Sequence, residues 1–358
     1  MTAPIRVLVT AIGGGGNGEQ LVKALRTAGG YHIVGADVNP DCPQFGMVDE
    51  PVLLPRADAA DYLEAVLALS AGRQIVAVFC GSEPELKVMS ENREHFAEAS
   101  LYLPMNPPDV ITTAMNKLAA NEFLMDNGFA APRAVQASNE EALSEVDWFP
   151  VVVKPFSGSG GSRDVFIAQT SRQLSAIGDL LQGQPMMVQE YVGRPDAEYT
   201  VGVLHGMDGE FINSIAVHRL LSGQLNIRSA AANTTGRSEL GDQLVISSGI
   251  SHGFVDRFPE VTETCERVAS SLGVTGAVNI QCRLVDGEVY VFEINPRFSG
   301  TTSIRALMGY NEPDVLVRRD VLGEEIEPRF EYQSGLVLRS LVETVMPAEL
   351  IPRWSDIV

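Results

Sequence analysis

The run V-V-V-K-P-F-S-G-S-G-G, Val151 to Gly161, constrains the fold of this chain more than any other segment. Three consecutive β-branched residues predict a buried strand. That strand delivers Lys154 out of an apolar run, and a desolvated ammonium is unfavourable unless it meets an anion. Ser157, Gly158, Ser159, Gly160, Gly161 and Ser162 follow. They combine little side-chain bulk with many free backbone N–H groups, which suits closure over phosphate oxygens. A cation at a strand end beside such a loop reads as a clamp for a nucleotide's phosphates. It is not the P-loop, because no G-x-x-x-x-G-K-[ST] occurs.

The rest of the chain alternates strand and helix patterns. Ile5–Thr10 reads as a strand, followed by a glycine loop from Gly13 to Gly18 and helical spacing at Leu21, Val22 and Leu25. Ile33–Asp37 reads as a second strand, Tyr62–Ser70 as a helix, and Ile75–Phe79 as a third strand ending at Gly81-Ser82-Glu83. This order implies a parallel α/β sheet that ends near the prolines at 104–108. A helix is expected over Thr112–Gly128, carrying Lys117, and Ser138-x-x-Glu141 reads as a capping box. Met186–Tyr191, Glu198–Leu204 and Phe211–His218 read as strands, and a helix starts at Pro259 and stops at Gly273. V-N-I-Q-C-R-L-V-D-G-E-V-Y-V-F-E-I-N reads as a hairpin turning at Asp286-Gly287.

A length of 358 residues suggests two or three packed subdomains. The net charge of −20 argues against general nucleic-acid binding and against an anionic membrane surface. It leaves a nucleotide open, because a few local cations and a divalent ion can offset phosphate charge. No apolar run reaches the ~20 residues of a membrane span. Cys42, Cys80, Cys265 and Cys282 lack metal-site spacing and read as reduced thiols of a cytoplasmic protein.

Five motifs in order carry a resemblance: M-N-K ending at Lys117, the Lys154 run, Gln189-Glu190-Tyr191-Val192, Glu198-Tyr199-Thr200, and F-E-I-N-P-R-F-S-G over 292–300. Together they resemble the ATP-grasp ligases, in particular one half-module of carbamoyl-phosphate synthase and related single-chain carboxylate–amine ligases. The resemblance implies a Rossmann-like parallel-sheet domain over 1–110, then a two-lobed ATP-grasp fold with a small lobe over 111–187 and a large lobe over 188–358. It implies ATP and Mg²⁺, with Mn²⁺ as an alternative ion. The substrates would be a small-molecule carboxylate and an amine, with no nucleic acid and no membrane, and a homodimer would be in keeping with the family.

On that resemblance, Lys117 and Lys154 bind phosphates, Glu190 and Val192 read the adenine edge through their backbone, and Glu198 takes the ribose hydroxyls. Gln281, Glu293 and Asn295 ligate the metal through oxygen. Arg297 is the catalytic cation, with Lys154, offsetting charge during phosphoryl transfer. Substrate contacts are expected from Ser299 and Gly300 at a helix start, from Arg305, from Arg228 and from Glu83. Gln281 and Glu293 share a face only if the hairpin register shifts by one residue, so a three-residue bulged turn over Val285–Gly287 is predicted.

Two other readings compete. Gly13, Gly15 and Gly18 fit G-x-G-x-x-G, with Asp37 at the spacing of a dinucleotide fingerprint, which allows an NAD(P)-dependent oxidoreductase. A non-catalytic ATP-binding module is the other.

Overall fold

The computed structural model describes residues 3–137, 139–156, 164–181, 185–343 and 352–353. The glycine loop at 157–163, and the closure expected of it, lie outside the described residues. Four strands, β1 (Ile5–Val9), β2 (Tyr31–Asp37), β3 (Glu50–Leu53) and β4 (Ala77–Phe79), form a parallel sheet in the order β3-β2-β1-β4. The expected third strand is therefore the fourth. Glu50–Leu53 escaped the sequence reading because a four-residue edge strand containing Pro51 shows no periodic pattern.

Strand order reverses at β1, which leaves a crevice at the C-terminal ends of β1 and β4. The two glycine turns meet there. A Cβ on Gly18 would lie 2.3 Å from the Ala11 carbonyl oxygen, and one on Gly81 would lie 2.0 Å from that of Thr10. Asp37 accepts from the Gly13 N–H at 2.8 Å and from the Asn39 N–H at 2.9 Å. Close backbone packing and one carboxylate staple thus account for the fingerprint without a dinucleotide.

The helix expected over Thr112–Gly128 is two helices, Pro108–Met115 and Lys117–Asp126. Asn116 breaks them. Its backbone is extended, and its side chain accepts from the N–H groups of Leu118 and Ala119, the local bonding that makes Asn favour caps over helix interiors. Similarly, the helix Glu140–Ser144 is capped by Asn139, which accepts from the Ala142 N–H; Ser138 lies outside the described residues.

β5 (Ala134–Ala137), β6 (Val151–Pro155), β7 (Phe166–Ala168) and β8 (Met186–Glu190) form an antiparallel sheet in the order β5-β8-β6-β7. The lobe boundary expected after residue 187 falls inside β8, all of which pairs within this sheet. Eight more strands follow: β9 (Glu198–His205), β10 (Phe211–Arg219), β11 (Ile227–Ala232), β12 (Gln243–Ser247), β13 (Gly253–Asp256), β14 (Ala277–Val285), β15 (Glu288–Asn295) and β16 (Gly335–Val337). Six of them make one sheet, β15-β14-β9-β10-β13-β16, while β11 and β12 form a separate ribbon.

Every residue of β9 is buried, and the helix Pro259–Leu272 covers one face of this sheet with Val261, Cys265, Val268 and Ala269. On the other side, Val7, Val9 and Phe79 of the first sheet and Leu21 of the helix Asn17–Ala28 share a single apolar cluster with Leu204, Ile215, Tyr310 and Leu316. Each such side chain contributes about 1.5–3 kcal/mol when fully buried. The N-terminal sheet is thereby locked to the large lobe, and Tyr31 reinforces the contact by donating to Asp314 at 2.7 Å. Among the described residues no helix is long and apolar enough to cross a membrane.

Candidate active site

Lys154, at the end of β6, is only 6% exposed. Its Nζ donates to Gln189 Oε1 at 2.8 Å and to the Phe292 carbonyl at 3.3 Å. Burial lowers its pKa from 10.5 to about 8, with Glu293 opposing the shift and Lys117 adding to it.

The Phe292 carbonyl is presented by a bulge that the sequence reading put in the wrong place. The hairpin turn has two residues, Asp286 and Gly287, both at positive φ (51° and 85°). The extra residue is Phe292, between the pairs Gln281↔Glu293 and Cys282↔Val291. Moving the bulge from the turn into β15 preserves the shared face: Gln281 lies opposite Glu293, and Asn279 opposite Asn295.

Two adjoining cavities run beneath this hairpin. One, of about 680 Å³, includes Lys154, Glu190, Val192, Glu198 and Gln281 in its wall. The other, of about 540 Å³, includes Glu83, Asn295 and Arg297. Lys117, Phe292 and Glu293 belong to both walls, so the two cavities are neighbours in one cleft region.

The Glu198 side chain, expected at the ribose, is held by two arginines. It is 1% exposed. Arg219 meets Oε1 at 2.8 Å, and Arg283 meets Oε2 at 2.9 Å. Burial pushes the Glu198 carboxyl up, but the two guanidinium groups outweigh it and hold the carboxyl below its ordinary value. Glu198 nevertheless lines the cavity, and a ribose hydroxyl reaching it would compete with a buried, charge-assisted bond. Arg219 and Arg283 were missed by the sequence reading. The available signal was a cation within an otherwise apolar strand, and the register places Arg283 directly opposite Glu198. Arg283 also donates to the Val192 carbonyl at 3.0 Å, and Glu190 pairs with Arg237 at 3.3 Å.

Gln281 Nε2 donates to Glu293 Oε2 at 2.9 Å. Asn295 Oδ1 accepts from Arg297 Nη2 at 3.0 Å, and the same nitrogen donates to Glu83 at 2.8 Å. Arg297 Nη1 reaches Asn17, in the first turn of the N-terminal helix Asn17–Ala28, at 3.5 Å. Burial raises the Glu83 carboxyl, but Arg297 and Lys117 together hold it below the usual range.

Four expected substrate contacts are not in the walls of the cleft. Arg305 is fully buried, donating to Glu312 at 2.9 Å and to Asn279 at 2.6 Å, so its charge is already compensated within the fold. The N–H groups of Ser299 and Thr301 are taken by the hydroxyls of Thr302 and Ser299, and the Thr302 N–H by the Ser299 carbonyl. The turn at Ser299 and Gly300 therefore has fewer open donors than expected. Arg228 is exposed on β11.

The donor set fits an anionic nucleotide and a hard cation. Nε2 of Gln189, Nε of Arg219 and Nε of Arg297 are buried without a hydrogen-bond partner among the described residues. Lys154 has no carboxylate within ion-pair distance among the described residues, so phosphate oxygens would relieve its desolvation. No group of three or more His, Cys, Asp or Glu side chains that could hold a metal is present among the described residues. A magnesium ion held at Glu293 would complete its shell with amide, water and phosphate oxygens, as Mg²⁺ commonly does.

This geometry, two cations and an oxygen-rich hairpin along one cleft between two lobes, is that of a nucleotide-dependent ligase fold. The family described as the ATP-grasp domain matches residues 114–301, and the PylC-like N-terminal domain matches residues 7–103. The chain belongs to the ATP-grasp family, whose enzymes use ATP and Mg²⁺. It is 26% identical over 289 residues to the carbamoyl phosphate synthase large chain of Micrococcus luteus, covering 78% of this chain and 24% of that one. The same protein of Mesorhizobium japonicum is 25% identical over 332 residues, covering 87% and 28%. The chain thus spans about a quarter of the length of these relatives. Among solved structures, the L-amino acid ligase of Bacillus licheniformis superposes with a TM-score of 0.61 at 16% identity, covering 92% of this chain and 78% of that one. The N5-carboxyaminoimidazole ribonucleotide synthetase of Thermus thermophilus gives 0.59 at 20% identity, covering 91% and 81%. These likenesses show the fold.

Proposed function

We propose that this chain is an ATP-dependent carboxylate–amine ligase. The observation that carries the reading is the placement of Lys154, Lys117, Glu293, Asn295 and Arg297 around two adjoining cavities that share Lys117 and Glu293. The γ-phosphoryl group passes to a substrate carboxylate oxygen as its bond to the β-phosphate oxygen breaks, giving ADP and an acyl phosphate. The amine nitrogen then attacks the acyl carbon, the carbon–oxygen bond to phosphate breaks, and the amine's proton is released. The products are an amide and inorganic phosphate.

Lys154 and Lys117 hold the phosphates, and Arg297 offsets the charge that develops on the transferred group. Glu190, Val192 and the backbone around them face the adenine. Glu198 supports this pocket from behind by fixing Arg219 and Arg283. Gln281, whose amide oxygen accepts from Arg219 at 3.4 Å, would offer that oxygen, beside Glu293 and Asn295, as a ligand for the ion. Mg²⁺ held at Glu293 and Asn295 would supply positive charge to offset that of the triphosphate. No protein nucleophile is required.

The test is ADP release screened over pools of carboxylates and amines. Arg297→Ala should lower kcat about 10²–10⁴-fold with little change in the KM for ATP, because its charge matters most in the transition state. An unchanged kcat would overturn the role given to Arg297. ATP bound without ADP release from any pair would favour a non-catalytic binding module.

Lys154 makes nucleotide binding pH-dependent. In the free protein it titrates at about 8, and bound phosphates favour its charged form and raise that value. Affinity for Mg·ADP should therefore be constant below pH 8 and fall by up to about tenfold per pH unit above it. Titration calorimetry in buffers of different ionisation heat should show proton uptake near pH 8. Uptake that is absent at pH 8 and 9 would refute this assignment.

A further inference from the structure

Arg339, just beyond β16, sits where the C-terminal segment crosses between the N-terminal helix and the Ser299–Ser303 turn. Its Nη2 donates to Gln20 Oε1 at 3.0 Å, to Ser303 Oγ at 3.3 Å and to the Gly300 carbonyl. All three acceptors are neutral. Its Nε is buried with no partner among the described residues. The other enclosed arginines around the cleft each have a carboxylate: Glu198 for Arg219 and Arg283, Glu312 for Arg305, and Glu83 for Arg297. No carboxylate lies within ion-pair distance of Arg339 among the described residues. Glu19, the acid that acts on it electrostatically, already accepts from Lys23 and from Gln44. A guanidinium held by neutral oxygens alone is under-compensated, and an anion would relieve it.

Its position adds direction. Gln20 follows Asn17 by three residues in the N-terminal helix, so the two lie on one face about 5 Å apart along the axis. Asn17 touches Arg297, and Gln20 touches Arg339. One face of this helix thus holds both guanidinium groups, Arg297 through Asn17 and Arg339 through Gln20. Arg339 as a whole residue keeps partial exposure.

Resting on the ligase reading, we propose that Arg339 is a specificity residue whose guanidinium holds an anionic group, carboxylate or phosphate, on the amine substrate. The amine is thereby oriented toward the carboxylate activated beside Arg297. The chemical class that follows is an amine bearing an acid, such as an amino acid or an aminoalkyl phosphate.

The experiment is a thermal-shift titration of the full chain in the presence of Mg·ADP. The probes are the common amino acids, their α-amides and phosphoethanolamine. At least one anionic amine should stabilise the wild type, its amide should bind at least about tenfold more weakly, and Arg339→Gln should remove that difference. The response to Mg·ADP alone should stay intact in the variant. Arg339→Lys should keep the preference with roughly tenfold weaker binding. Preference for the acid surviving in Arg339→Gln, or no anionic amine stabilising the wild type, overturns the proposal. If Arg339→Gln does not fold, an Arg339→Lys affinity equal to wild type overturns it instead. A missing Mg·ADP response in the wild type would count against the ligase reading itself, separately from the acid-over-amide comparison.

Discussion

Replacing Glu198 by alanine is expected to destabilise the protein by about 3–5 kcal/mol, the range for removing one partner of a buried ion pair. The effect should be that large because the carboxylate serves two guanidinium groups at once, Arg219 at 2.8 Å and Arg283 at 2.9 Å. Its loss leaves two cations enclosed in the centre of the sheet, and Arg283 stacks against Tyr191 with no other carboxylate in reach among the described residues. Urea titration at neutral pH measures the difference. The sign with pH also follows. Glu198 has a folded-state pKa held below its ordinary 4.5, so its contribution is present above that value and is lost as pH falls through the folded value. The gap between wild type and variant should therefore narrow in acid. A deficit under ~1 kcal/mol would show that the arginines find other compensation.

Replacing Lys154 by methionine should have opposite effects on the empty and the occupied protein. Affinity for Mg·ADP should fall by about 100-fold or more, since a desolvated charge-assisted contact to phosphate is lost. The empty protein should become more stable, because methionine fills similar volume with no buried charge. The sign is set by the lowered pKa. Between about 8 and 10.5 the unfolded chain holds a proton that the folded one has released, so folding of the wild type gains stability as pH rises through that window. Below pH 8 the burial penalty is fully present, and there the variant's advantage should be greatest. Thermal melts at pH 7 and pH 10, with and without Mg·ADP, test both halves. A variant less stable than wild type at pH 7 would show that the bonds to Gln189 and Phe292 outweigh desolvation of the ammonium.

Much of this was legible without coordinates because it follows from local chemistry. The β-branched run before Lys154, the hairpin at Asp286-Gly287 and the apolar face of the helix Pro259–Leu272 are periodic or turn-encoded, so each appears in one stretch of sequence. The five ordered motifs marked out both walls of the cleft. Less legible were features whose cause lies between segments. Asn116 could be read as a helix residue until its side chain was seen to cap the next helix. The bulge was inferred from the need to place Gln281 and Glu293 together. Its location at Phe292, rather than at the turn, depends on strand pairing and on the reach of Lys154 toward a carbonyl.

Burial decided the arginines. Arg305 and Arg339 look alike in sequence, yet Glu312 neutralises one, whereas the other meets only neutral oxygens. Glu198 lies in a motif that suggests a ligand contact, but the register of β14 and the end of β10 bring two guanidinium groups onto it. The residue order by itself determined which stretches become strands, which turns need glycine, and which cations leave apolar strands, since these depend on neighbours a few positions apart. Only the tertiary structure decided which charges cancel one another and which remain for a ligand. Coulomb interaction and desolvation depend on distance and enclosure in space, and those are set by residues as far apart as Gln20 and Arg339.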